Sequence, residues 1–137
     1  MGAVLLDTSV ASLLHPKRAG SEAREFYAPH MRGKVLAISF QTQAELWAWA
    51  EDGRWGRAMR TGLDQFLARF PVIPYTEQLG RTWARVMTEA RRSGRRLEAG
   101  DGWIAASAVL YSMPLLTQDG DFLDLALHGL EVISHLR

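Results

Sequence analysis

The chain contains no cysteine, which excludes a disulfide scaffold, thiolate zinc sites and a cysteine nucleophile. Lysine is nearly absent as well: among 16 basic residues only Lys17 and Lys34 are lysines, and the rest are arginines. The formal net charge of +1 supplies no overall basic field of the kind that draws a protein onto nucleic acid. No apolar run approaches the ~20 residues of a membrane span. The first such run, Ala3 to Leu6, stops at Asp7, too early for a secretory leader. These absences lead to the expectation of a cytoplasmic protein. Internal repeats, low-complexity tracts and Pro/Gly linkers are missing too. No Gly-rich loop of Walker or Rossmann type follows an apolar run, which argues against a nucleotide switch or a dehydrogenase.

What the chain does have is 137 residues, 47% of them hydrophobic and 23% charged, the balance of one ordinary globular domain spanning 1–137. Short apolar runs alternate with longer helical patterns, as in a parallel-sheet protein. "AVLL" and "VLAIS" (Val35 to Ser39) read as the first two strands. "PVIPY" (Pro71 to Tyr75) is a third, placed at an edge by its prolines. "PLLT" (Pro114 to Thr117) and "LEVIS" (Leu130 to Ser134) complete the set. A short helix follows the first strand, and a second starts from Ser21 and reaches Pro29 or a little beyond. Two more form a hairpin turning near Gly53, and another runs from a Thr76 cap to Gly94. The last helix, "DGWIAASAVLYSM", begins at Asp101 and is apolar nearly all round, so it is expected to be buried. Strands buried on both faces need helices on both sides, and the expected architecture is a three-layer α/β/α sandwich on a mostly parallel sheet of about five strands.

In such a sheet the loops leaving the carboxyl ends of the strands share one edge, and the helices after those strands begin there. Asp7 leaves the first strand and Asp119 the fourth. Asp101 opens the helix leading back to that fourth strand, and Glu45 lies about two turns into the helix after the second. Each has an ordinary structural role open to it. Asp7 and Asp101 suit helix caps, Asp119 suits a turn beside Gly120, and Glu45 suits a solvated helix face. Their convergence on one edge is what favours a site. Clustered carboxylates repel until some are protonated or a cation is bound. An all-oxygen ligand set favours Mg²⁺ or Mn²⁺ over zinc. His15, His30, His128 and His135 have no ligand spacing. A metal held by acids with open water positions suits phosphate chemistry.

"LLDTSV", "AEL", "GDGWIAASA" and "LLTQDGDF" resemble the four motifs of PIN-domain ribonucleases, with the closest likeness to VapC-type toxins of bacterial toxin–antitoxin pairs. The likeness spans nearly the whole chain, and "D-x-W-I-A-A" followed by "L-L-T-x-D-x-D-F" is its most specific part. The resemblance implies that Asp7, Glu45 and Asp101 hold the catalytic metal and that Asp119 is the fourth polar position, with Asp121 as its competitor. It places Thr8 directly after the first acid, matches Thr117 to the threonine that supports the site with its hydroxyl, and counts both as cofactor-binding. It further implies Mg²⁺- or Mn²⁺-dependent hydrolysis of RNA phosphodiesters, a homodimer, and a VapB-type antitoxin whose peptide threads the cleft and often presents an arginine to the acids. Gly102 departs from the pattern, since alanine is commoner there, and glycine weakens the start of a helix.

Other readings are less well served. A receiver-type signalling domain needs adjacent acids after the first strand and a lysine after a late one. A haloacid-dehalogenase-type phosphatase needs a second Asp where Ser9 stands. A catalytically silent member of the same fold, acting only as an interaction module, differs from the nuclease in turnover alone. Two further features are surface candidates. "RRSGRR" (Arg91 to Arg96) is either a solvated helix end or a phosphate-contacting patch near the RNA path. Trp47 and Trp49, two apart on one helix, cannot share a face, so one is expected in the core and the other at a dimer or antitoxin surface. Trp55, Trp83 and Trp103 are expected as packing, with base stacking open to an exposed one.

Overall fold

The computed structural model describes residues 2–18, 21–123, 125 and 129–136; His128 lies outside them. Five strands form one sheet: β1 (Ala3–Leu6), β2 (Val35–Ser39), β3 (Val72–Ile73), β4 (Leu115–Leu116) and β5 (Val132–Ile133). Their order is β3-β2-β1-β4-β5 and every pairing is parallel. Between them run α1 (Thr8–Leu13), α2 (Glu22–Met31), α3 (Phe40–Asp52), α4 (Arg57–Leu67), α5 (Glu77–Arg92) and α6 (Ala99–Leu110).

The alternation of side chains along the strands sets the layers. Leu5, Ala37, Ile73 and Leu115 point into a core shared with α5 and α6, which supply Leu79, Val86, Ile104 and Ala105. Val4, Leu6, Ile38 and Leu116 point the other way, onto α1, α3 and α4 through Val10, Leu46, Leu63 and Phe66. β1 is therefore covered on both faces, as its unbroken apolar run demands. α6 is indeed buried along most of its length, because Ala105, Ala106, Ser107 and Ala108 are small enough to lie close to the sheet. Ser107 satisfies its buried hydroxyl on the Trp103 carbonyl at 2.8 Å.

The expected strands are all present, but three are shorter than their sequence runs. β3 shrinks to two residues bracketed by Pro71 and Pro74, at the edge where proline is tolerated. The helical hairpin turns at Gly53 and Arg54, and α5 is capped by Thr76 and released by Gly94 at φ +76°. Two caps need correction. Ser21 sits at the start of α2 but makes no capping hydrogen bond. α6 begins at Ala99 rather than Asp101, with Glu98 in the cap position. Asp101 is thus the third residue of the helix, and its carboxylate is not used as the helix cap.

Candidate active site

The register of β1 and β4 builds the first half of the site. Leu6 pairs with Leu116, and the Asp7 amide donates to the Leu116 carbonyl at 3.1 Å, so Asp7 and Thr117 stand side by side one residue beyond the ladder. The Thr117 hydroxyl donates to Asp7 Oδ2. Asp7 Oδ1 accepts from the Ser9 hydroxyl at 2.6 Å and from the Val10 amide at 2.9 Å. The cap role expected of Asp7 is therefore real, and it occupies only one oxygen. The carboxylate is 3% exposed, and burial pushes its pKa from an ordinary 3.8 up to about 6, against the pull of those hydrogen bonds.

Glu45 reaches the same place from α3. Its Oε2 accepts from the Thr8 hydroxyl, which also lies 3.1 Å from the hydroxyl of Thr42. Ser39 caps α3 through the Thr42 amide at 3.0 Å, so the end of β2 fixes the helix on which Glu45 rides. From the other side, the Asp119 amide donates to Thr117 Oγ1 at 2.9 Å, and Asp119 Oδ1 accepts from the Asp121 amide at 2.9 Å. Thr117 thus ties Asp7 to the loop that carries Asp119 and Asp121.

Asp101 completes the set. Burial raises its pKa to about 7, with further contributions from Asp119, Glu45, Asp121 and Asp7. Two glycines let its helix approach closely. A β-carbon at Gly100 would lie 2.8 Å from Gln41 Nε2, and one at Gly102 would lie 2.4 Å from Met87 Sδ and 2.8 Å from Trp83 Nε1. That indole nitrogen donates to the Ala99 carbonyl at 3.1 Å, so it is not free to move aside. Gly102 is accordingly a packing requirement beside Asp101, and its helix-weakening effect is secondary. Gly102→Ala is expected to destabilise the protein by about 1–3 kcal/mol, measured by urea denaturation. Helix propensity alone would give the opposite sign, a gain of about 1 kcal/mol.

Asp7, Glu45, Asp101 and Asp119 all line one cleft of about 350 Å³. Within this constellation the carboxylates of Asp101, Asp119 and Asp121 are the tighter group, offering oxygens within 4.8 Å of one another. Asp7 and Glu45 line the same cleft outside that trio. Asp119 and Asp121 both face Asp101, so the loop supplies two acids where one was sought. The donor set is all oxygen, and Asp101, raised first by its burial, is raised further by the acids around it. Both features fit a hard divalent ion.

Several participants were not evident in the sequence. Ser9 bridges the two loops, donating to Asp7 and accepting from the Gln118 amide at 2.9 Å. Tyr27, fully buried on α2, donates to the Thr117 carbonyl at 2.8 Å and accepts from the His135 amide at 3.0 Å. Ser9 carries no signal in the sequence beyond its place in "LLDTSV", and Tyr27 carries none. Arg18 and Trp49 also line the cleft. Trp49 is the packed member of the α3 pair and Trp47 the exposed one, while Trp83 and Trp103 stack on each other. Arg95 donates to the Leu123 carbonyl at 2.8 Å, fastening the arginine cluster to the loop of Asp119 and Asp121.

The profile of the PIN domain family matches residues 4–127. Ribonuclease VapC4 of Mycobacterium tuberculosis is 31% identical over 132 residues, 95% of each chain. Ribonuclease VapC5 of the same organism is 36% identical over 81 residues, 59% of this chain and just over half, 58%, of that protein. The crystal structure of VapBC-5, a member of the VapBC family of toxin–antitoxin systems from Mycobacterium tuberculosis, superposes with a TM-score of 0.72. It is 29% identical and covers 98% of this chain and 99% of its own. This chain belongs to the PIN domain family, and its parallel five-stranded sheet with six helices is the fold of that family. No helix among the described residues is long and apolar enough to cross a membrane.

Proposed function

We propose that this chain is a VapC-type toxin, a metal-dependent endoribonuclease neutralised by a cognate VapB-type antitoxin. The observation that carries the reading is the convergence of Asp7, Glu45, Asp101 and Asp119 on one cleft, in a chain whose relatives are named VapC ribonucleases. These four acids, with Asp121 beside Asp119, are the residues that would hold Mg²⁺ or Mn²⁺. When bound, the ion supplies charge for the scissile phosphate and acidifies a water for in-line attack. The chain's own residues fix the geometry: Thr117 and Ser9 orient the Asp7 carboxylate, and Thr8 orients that of Glu45. The arginine cluster Arg91 to Arg96 would flank the RNA path, and the exposed Trp47 would meet a second copy of the chain or the antitoxin. The setting proposed for all of this is the cytoplasm.

The test is cleavage of total RNA by the purified protein in Mg²⁺ or Mn²⁺, in EDTA, and by Asp101→Asn. Cleavage is expected with either ion, none in EDTA, and a loss of more than about a hundredfold in the variant, since even outer partners of metal ligands are worth 10–100-fold. Activity surviving both EDTA and the substitution would sink the metal–acid mechanism. A wild-type protein inert with both ions would leave the interaction-module reading in its place.

A further inference from the structure

Arg18 closes a short 3₁₀ turn, Pro16–Arg18, that follows α1. Its side chain lies on the same cleft as the acids, where a free guanidinium would be drawn to the nearest carboxylate. Among the described residues it forms no ion pair: the salt bridges there are Arg60–Glu51, Arg81–Glu77 and Arg85–Glu89. The guanidinium carbon sits instead 5.5 Å from the centroid of the Trp49 ring, at cation–π distance. Trp49 is itself held edge-on by Trp55 at 4.9 Å and by His15 at 5.4 Å. The aromatic group therefore forms a fixed shelf, and Arg18 rests on it.

A guanidinium stacked on a ring keeps its N–H edge available, and that edge matches two oxygens of a phosphate. The position also meets an electrostatic need. A wall of acids repels a polyanion, and a bound ion compensates only the phosphate it touches, so the strand needs another cation at the mouth. We propose that Arg18, supported on Trp49, is a substrate-binding residue that grips an RNA backbone phosphate neighbouring the one cleaved. The inference rests on the ribonuclease reading of the cleft and adds the residue that positions the strand.

The experiment measures initial rates of cleavage of a randomised-sequence fluorogenic RNA oligonucleotide in Mg²⁺, for the wild type, Arg18→Ala and Arg18→Lys, across a range of NaCl. Arg18→Ala is expected to raise the apparent KM about tenfold, the value of one charged hydrogen-bonded contact, with kcat within about twofold because the acids are untouched. The dependence of log KM on log salt should become shallower by about 0.7, the single-strand value for one phosphate contact. Arg18→Lys should recover part of the KM and all of the salt slope, because it keeps the charge and loses the planar fork. The Mg²⁺ concentration for half-maximal rate should not move. An unchanged KM and salt slope in Arg18→Ala would overturn the proposal, and so would a faster enzyme, which would make Arg18 an obstruction. If the wild type itself fails to cleave RNA, the ribonuclease reading falls and this inference falls with it. A cleaving wild type with an indifferent Arg18→Ala defeats the inference alone.

Discussion

Asp7→Asn is expected to reduce metal-dependent RNA cleavage by more than about a hundredfold while making the metal-free protein more stable at pH 8. The two effects have one origin. Asp7 is almost wholly buried, and its pKa lies near 6 because of that burial; above that pH the folded protein carries a charge that water would solvate better. Asparagine removes the charge and can keep every contact. Its amide oxygen accepts from Ser9 and Val10 as Oδ1 does now, and its amide nitrogen faces Thr117, whose hydroxyl can turn to accept. The gain is about 1–3 kcal/mol at pH 8 in EDTA, the size of the penalty implied by the shift. A variant that is inactive yet firmer than its parent would mark Asp7 as a residue kept for chemistry. If cleavage stays within about tenfold of the wild type, the ion belongs to Asp101, Asp119 and Asp121, the tighter group, and Asp7 is reduced to a helix cap.

The layering and the meeting of the acids were legible because both follow from the parallel sheet. A run such as Val4-Leu5-Leu6 must be covered on both faces, and a residue one step beyond a parallel strand must lie at the common edge. Asp7, Asp119 and the helix bearing Glu45 could be placed that way without any side-chain contact. Asp101 was brought to the right edge with the wrong local role, because Glu98 starts α6 without a capping bond and leaves no signature in the sequence. What was not legible depended on partners far along the chain. Gly102 reads as a weak helix residue until Trp83 and Met87 are seen pressed against it. Tyr27 reads as an ordinary helix aromatic until its hydroxyl is found joining Thr117 to His135 across the end of the sheet. Arg18 has no motif at all, and its place on the cleft, over Trp49, emerges only from the fold.

Metal and pH should act on stability in opposite directions, and the sign follows from the two raised carboxyls. Asp7 titrates near 6 and Asp101 near 7 in the folded protein, against an ordinary 3.8. The folded state therefore holds protons that the unfolded chain has already released. For these groups the metal-free protein is most stable below about pH 4 and loses stability as pH rises from there to about 7. Asp7 accounts for a loss of about 3 kcal/mol; Asp101 adds in the same direction, with its share reduced by the solvent that reaches it. Comparing the wild type with Asp7→Asn across that range isolates the Asp7 part from every other titrating group. Mg²⁺ binds the ionised acids, so its apparent affinity rises as those protons leave, and its stabilisation follows the logarithm of occupancy. Melting at one fixed Mg²⁺ concentration, chosen to saturate the site at pH 8, against EDTA should show almost no difference at pH 5 and a rise of several degrees at pH 8, at about 4 °C per kcal/mol for a chain of this size. A magnesium effect of equal size at both pH values would mean that the ion does not compete with protons for Asp7 and Asp101. The acids lining the cleft would then not be its ligands.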